Sequence, residues 1–112
     1  MQEQASLTVS EIAALQQKMI EALGACYDPE IPVNIYDLGL IYEASVDASG
    51  HASVKMTLTA PGCPASGSLA AEVEGKIAAI PGIRSVKVDV VWDPPWSKEM
   101  MSEAAKLQLG FL

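Results

Sequence analysis

The chain has 112 residues, of which 50% are hydrophobic, with 14 acidic and 7 basic side chains and a formal net charge of −7. This size and composition predict one folded domain with a single core rather than a disordered chain. The negative charge argues against nucleic acid and anionic membranes, whose binding depends on Lys and Arg. With two cysteines, no secretory signal and no apolar run of membrane-spanning length, we expect a cytoplasmic protein with free thiols.

The N-terminal part predicts a flexible tail over residues 1–7, followed by an amphipathic helix over residues 9–25. Thr8 and Glu11 have the spacing of a capping box, and apolar residues recur behind them at helical intervals. Cys26 continues the apolar face of this helix, so we expect it to fill the core. Residues 8–112 are predicted to form a single domain.

The segment DPEIPVNIYDLGL follows the first helix. Its two prolines exclude a regular helix or a central strand, and a loop of this length is more often functional than a short one. The carboxylates of Asp28, Glu30 and Asp37 are candidates for supporting a site. The alternative for Asp28 and Asp37 is that they cap turns, because Asp before Pro commonly starts one.

Alternating apolar residues predict three strands, over residues 38–46, 52–59 and 83–92. Helical spacing predicts two further helices, over residues 64–80 and 98–109. Ser97 is the expected N-cap of the last helix. The order α-β-β-α-β-α predicts a two-layer α+β sandwich: a small mixed three-stranded sheet with helices on one face.

The segment MTLTAPGCP, residues 56–64, carries the strongest candidate for chemistry. A strand ends at Thr59, and Cys63 directly precedes Pro64, which is favoured at the first position of a helix. Helix N-termini stabilise anions, so a cysteine there is expected to have a lowered pKa and to be a good nucleophile or metal ligand. The alternative is a small buried thiol at a strand–helix corner. Spacing alone leaves both interpretations open.

Several enzyme classes lack the residues they need. The sequence has no P-loop and no dinucleotide-binding glycine motif. It has no C-x-x-C pair, and its three Cys and His residues are too few and too separated for a structural zinc site. The only histidine, His51, follows a predicted turn, where a solvated surface role is expected. We therefore predict no catalytic residues.

Two tryptophans, Trp92 and Trp96, surround a rigid proline pair in the segment WDPPW. They are candidates for an exposed partner-binding surface. The alternative is that they pack over the edge of the core with their N–H groups bonded outward.

Three blocks, DPEIPVNIYDLGLIYE, MTLTAPGCP and VVWDPPWSKEMMSEAAKLQLG, resemble a family of iron–sulfur cluster assembly domains. This family includes SufT of the SUF system, PaaD of the phenylacetate pathway and the eukaryotic cytosolic iron–sulfur targeting subunit; the SufT branch is the most similar. The resemblance implies an α/β fold, a reactive cysteine at Cys63, a loop acid at Asp28 and a supporting threonine at Thr59. Relatives usually carry an aliphatic residue where this chain has Cys26, and the four-cysteine tail of the PaaD branch is missing.

Iron–sulfur clusters are usually held by four thiolates, and one chain offers at most two. The resemblance therefore implies a non-catalytic maturation factor in which Cys63 transiently ligates iron or a cluster, or captures a client thiol. Its expected partners are iron–sulfur assembly proteins and apo-client proteins, and a homodimer would pair two copies of Cys63. No tightly bound cofactor is expected.

An adaptor that docks clients on the assembly machinery without binding metal is the alternative function. A thiol enzyme is a third reading, but the sequence offers no obvious base beside Cys63.

Overall fold

A computed structural model describes residues 6–27, 31–59 and 66–110 of the chain. Its helices are α1 (Val9–Leu23), α2 (Ser66–Ala78), a 3₁₀ helix (Lys98–Met100) and α3 (Glu103–Leu109). Its strands are β1 (Ile41–Val46), β2 (His51–Met56) and β3 (Ser85–Val90). The predicted order of elements is confirmed.

The three strands form one mixed sheet in the order β1-β2-β3, as predicted. Strand β1 runs antiparallel to β2, and β2 runs parallel to β3. Cross-strand pairing puts Ala44, Val54 and Val88 in one row, and this apolar face is covered by the helices. Helix α1 packs against β1, and α2 packs against β3 and α1. The opposite face carries polar rows such as Glu43, Lys55 and Asp89. The two-layer α+β sandwich is therefore confirmed.

The N-terminus of α1 has the predicted capping box. The Thr8 N–H donates to Glu11 Oε1 at 2.8 Å, and the Glu11 N–H donates to Thr8 Oγ1 at 3.1 Å. Leu7 was predicted to belong to the flexible tail, but it packs against the core and donates its N–H to the Ala48 carbonyl at 2.8 Å.

Strand β1 begins three residues later than expected and does not alternate throughout. Its register with β2 shifts between Ile41 and Glu43, which makes Tyr42 the extra residue of a β-bulge. The bulge keeps Ile41 on the same face as Ala44, where it pairs with Met56. The Tyr42 hydroxyl donates instead to the Pro94 carbonyl at 2.8 Å.

The single C-terminal helix predicted over residues 98–109 is wrong. Met101 has extended backbone with ψ of 149°, and it separates the 3₁₀ helix from α3. The N-cap of α3 is Ser102, whose Oγ accepts from the Ala105 N–H at 3.1 Å, whereas Ser97 makes no side-chain cap bond. The break buries the Met101 side chain and lets the Ser102 N–H donate to the Asp37 carbonyl at 2.8 Å. These tertiary contacts outweigh local helix propensity.

The proline-rich loop supplies part of the core. Four of its apolar side chains are buried: Val33, Ile35, Leu38 and Leu40. They belong to the same cluster as Met19 and Leu23 of α1 and Val73 and Ile77 of α2. The loop is therefore held in place by packing as well as by its turns.

Candidate functional site

Three of the residues predicted to form the site, Cys63, Asp28 and Glu30, lie outside the described residues. In sequence, Cys63 falls between Thr59 and Ser66, and the two acids fall between Tyr27 and Ile31. Their predicted roles therefore stay predictions. The geometry given below is that of the described residues on either side of the segments 28–30 and 60–65.

A series of backbone hydrogen bonds connects the residues that flank the two segments. The Ile35 N–H donates to the Cys26 carbonyl at 2.8 Å, the Leu40 N–H to the Ile35 carbonyl at 3.1 Å, and the Thr57 N–H to the Leu40 carbonyl at 2.8 Å. The series runs from the end of the α1 region to the extension of β2. It fixes the start of the proline-rich loop and the residues that lead into the Cys63 segment at one end of the sheet.

The C-terminal part of the chain covers this same end of the sheet. After β3, the Val91 N–H donates to the Met56 carbonyl at 2.8 Å, and the Trp96 Nε1–H donates to the Leu38 carbonyl at 2.7 Å. Trp96 thus packs against the core with its indole N–H bonded. Trp92 differs, because 43% of its surface is exposed. Of the two tryptophans, only Trp92 presents a large accessible surface.

Asp37 lies in this region with its carboxylate engaged in a turn. The Asp37 N–H donates to Asn34 Oδ1 at 2.9 Å, and Asn34 Nδ2 donates to Asp37 Oδ2 at 2.9 Å. This is the turn-forming role that was the alternative prediction for Asp37.

Thr57 is the buried polar residue of this end of the sheet. The alternation of β2 places it on the polar face, yet its side chain is fully buried and its Oγ1 has no hydrogen-bond partner among the described residues. Burial also raises the pKa of the Tyr42 hydroxyl, which lies at the same end of the sheet. Thr57 lies just beyond the end of β2 at Met56, so strand periodicity could not reveal its burial.

Replacing Thr57 with valine is expected to raise the free energy of unfolding by about 1 kcal/mol, because a buried hydroxyl without a partner destabilises the fold. Valine has nearly the same shape and needs no hydrogen bond. Urea unfolding followed by tryptophan fluorescence measures the change. A decrease of similar size would show that the hydroxyl is satisfied elsewhere in the chain.

Cys26 is buried in the core, as its position on the apolar face of the first helix predicts. Its side chain has no exposed surface, and its Sγ–H donates to the Ala22 carbonyl at 3.5 Å. Burial raises the pKa of this thiol, and the Glu72 carboxylate raises it further, while Lys76 opposes the shift. Both features keep the sulfur protonated and out of reach.

The raised pKa of Cys26 predicts a pH dependence of stability. Above a pH of about 8.5 the unfolded thiol ionises while the folded thiol stays neutral, so stability falls as pH rises through that value. The Cys26→Ala variant should lose this part of the pH dependence. The measurement is the difference in unfolding free energy between the wild-type protein and Cys26→Ala at pH values below and above about 8.5. A constant difference would contradict the prediction.

In the described part of the chain, no group of three or more His, Cys, Asp and Glu side chains is arranged to hold a metal ion. The helices of that part also lack the combination of length and hydropathy that a membrane span requires.

Comparisons with known proteins show extensive similarity. A family model described as iron–sulfur cluster assembly protein matches residues 16–90. An "Fe-S protein maturation auxiliary factor" of Porphyromonas gingivalis is 48% identical over 103 residues, which are 92% of this chain and 98% of the relative. YitW of Bacillus subtilis, which carries the same description, is 39% identical over 87% of this chain and 95% of its own length.

Two solved structures have the same fold. A domain of unknown function from Bacillus anthracis aligns with a TM-score of 0.85 and 38% identity, covering 94% of this chain and 100% of the other. A conserved hypothetical protein from Thermotoga maritima aligns with a TM-score of 0.73 and 30% identity, covering 96% and 99%.

Proposed function

Because this chain belongs to the iron–sulfur cluster assembly protein family, we propose that it is a non-catalytic maturation factor in which Cys63 transiently holds iron or a cluster, or captures a client thiol. The relatives described as maturation auxiliary factors align over nearly their whole length. An "iron-sulfur cluster carrier protein" of Deinococcus radiodurans is also 31% identical over 75 residues, although these are only 21% of that relative. The cluster is the cargo of such a protein.

The burial of Cys26 is the observation that carries this proposal. The chain has two cysteines, and Cys26 is fully buried with a raised pKa, so it cannot serve as a ligand without unfolding its surroundings. Cys63 is then the only thiol the chain can offer. Since clusters usually need four thiolates, the remaining ligands must come from a second copy or from a client. Incomplete ligation suits transfer, because a weakly held cluster can leave.

The hydrogen bonds on either side of the two segments support a role for the proline-rich loop in the proposed Cys63 site. The hydrogen bonds from Cys26 through Ile35 and Leu40 to Thr57 link the chain before Asp28 and Glu30 to the chain before Cys63. We propose that Asp28, Glu30 and Thr59 assist Cys63 and that Asp37 shapes the loop. The partners are iron–sulfur assembly proteins and apo-clients, in the cytoplasm.

The exposed side chain of Trp92 favours a second candidate function, an adaptor that docks clients on the assembly machinery without touching iron. Tryptophan is enriched at protein–protein contacts. Trp96 offers less to such a surface, because its indole N–H already donates to the Leu38 carbonyl.

Anaerobic reconstitution with ferrous iron and sulfide separates the two functions. A carrier is expected to gain a brown colour and visible absorption that Cys63→Ser loses and Cys26→Ala keeps. The solution mass of the coloured species shows whether two copies share the cluster. A colourless wild-type protein would favour the adaptor, and colour that persists in Cys63→Ser would contradict the assigned ligand.

A further inference from the structure

Strand β1 is at the edge of the sheet, and no described residue pairs with its outer side. In an antiparallel pair, hydrogen-bonded and non-bonded residues alternate. The Asp47 N–H donates to the His51 carbonyl at 3.0 Å, so the bonded positions of β1 continue at every second residue, Ser45 and Glu43. Ala44 and Val46 therefore direct their N–H and C=O groups away from β2. With no partner among residues 6–27, 31–59 and 66–110, these groups are a template for another strand.

A cleft of about 180 Å³ adjoins this edge. It is lined by residues of α1, of the loop before β1 and of β1 itself: Ile20, Tyr36, Ile41, Tyr42, Glu43 and Ala44. Ile20 belongs to the helical layer, whereas Glu43 lies on the opposite face of the sheet. The cleft therefore sits at the strand edge itself. Tyr36 is 43% exposed and offers a flat apolar wall.

The charges along this edge are negative. Glu43 lines the cleft, Asp47 follows β1, and Glu21 is exposed beside Ile20 on α1. At 100° per residue, Lys18 falls on the far side of α1 from Ile20. Lys55, on the neighbouring strand β2, is paired with Glu43 at 3.6 Å. The net charge of −7 also disfavours a second copy at this edge.

We propose that the outer edge of β1 and the adjoining cleft bind an extended segment of a partner protein in which apolar and basic residues alternate. The segment adds a fourth strand, with main-chain hydrogen bonds to Ala44 and Val46. One apolar side chain of the segment enters the cleft against Tyr36, and the basic residues of the segment face Glu43. This surface goes beyond the proposed function, because it uses no cysteine.

The probe is a short fluorescent peptide of alternating valine and lysine with one central phenylalanine, measured by anisotropy against the Cys63→Ser chain. Use of this variant makes the result independent of thiol chemistry. On binding, the amides of Ala44 and Val46 should gain protection from hydrogen exchange. Methylation of the peptide nitrogens that pair with β1 should weaken binding about tenfold, because the added strand then loses its donors.

Tyr36→Ala should also weaken binding about tenfold by removing the wall of the cleft. Leu107→Ala is the matched control, since it removes another exposed apolar side chain, on α3, and should leave binding unchanged. Ala44→Pro removes an outward N–H and should abolish binding; if that variant does not fold, Tyr36→Ala alone decides.

Three outcomes would overturn the proposal. The first is protection of amides outside β1, and the second is equal binding of an otherwise identical peptide with glutamate in place of lysine. The third is a wild-type dimer in sedimentation that Ala44→Pro converts to monomer, which would assign this edge to a second copy.

Discussion

Replacement of Cys63 by serine is expected to reduce the activity of iron–sulfur client enzymes to the level of cells that lack the protein. Serine differs from cysteine by one atom, but its hydroxyl stays protonated at neutral pH and cannot replace a thiolate as a ligand or nucleophile. The free energy of unfolding should change by less than about 1 kcal/mol. The assay is client enzyme activity in complemented cells at matched levels of the two proteins.

Cys26→Ala is the matched control, because it removes the other thiol of the chain. Truncating this fully buried side chain should lower stability by about 1 kcal/mol and leave client activity intact. The expected pattern is therefore a separation: one cysteine affects function and the other affects stability. Full client activity in Cys63→Ser would refute both the carrier and the thiol-capture mechanism and would leave the adaptor.

The features that the sequence predicted correctly depend on neighbouring residues. The capping box of Thr8 and Glu11 is a local exchange of hydrogen bonds, and the burial of Cys26 follows from helical spacing. Hydrophobic alternation also located the three strands. Each of these signals is complete within one element.

The features that were not predicted depend on contacts between distant parts of the chain. The bulge at Tyr42 accompanies a hydrogen bond to Pro94, and the break at Met101 accompanies one between Ser102 and Asp37. Periodic patterns in the sequence do not predict contacts between distant segments. Described residues that flank the candidate site take part in such contacts, which explains why their arrangement was harder to predict than the fold.

Gly39→Ala is expected to lower the free energy of unfolding by about 3 kcal/mol or more. Gly39 has a φ of +82°, which an L side chain rarely adopts. A Cβ at this position would overlap the Met100 carbonyl oxygen and lie 2.7 Å from the carbonyl carbon. Both are backbone atoms, so the loop and the C-terminal segment would have to separate. A loss of this size is a large fraction of the stability of a small domain.

Gly75→Ala is the matched control, because the same methyl group is added where nothing lies within 4 Å. Gly75 is inside α2, so alanine should stabilise the chain by about 1 kcal/mol through its higher helix propensity. Urea titrations of both variants test the pair, and equal effects would contradict the close approach of Met100 to Gly39. The contact matters for the site, since Gly39 follows the Leu38 carbonyl that holds Trp96. A shift there would disturb the Trp96 contact near the candidate site, so client activity should fall in Gly39→Ala and be retained in Gly75→Ala.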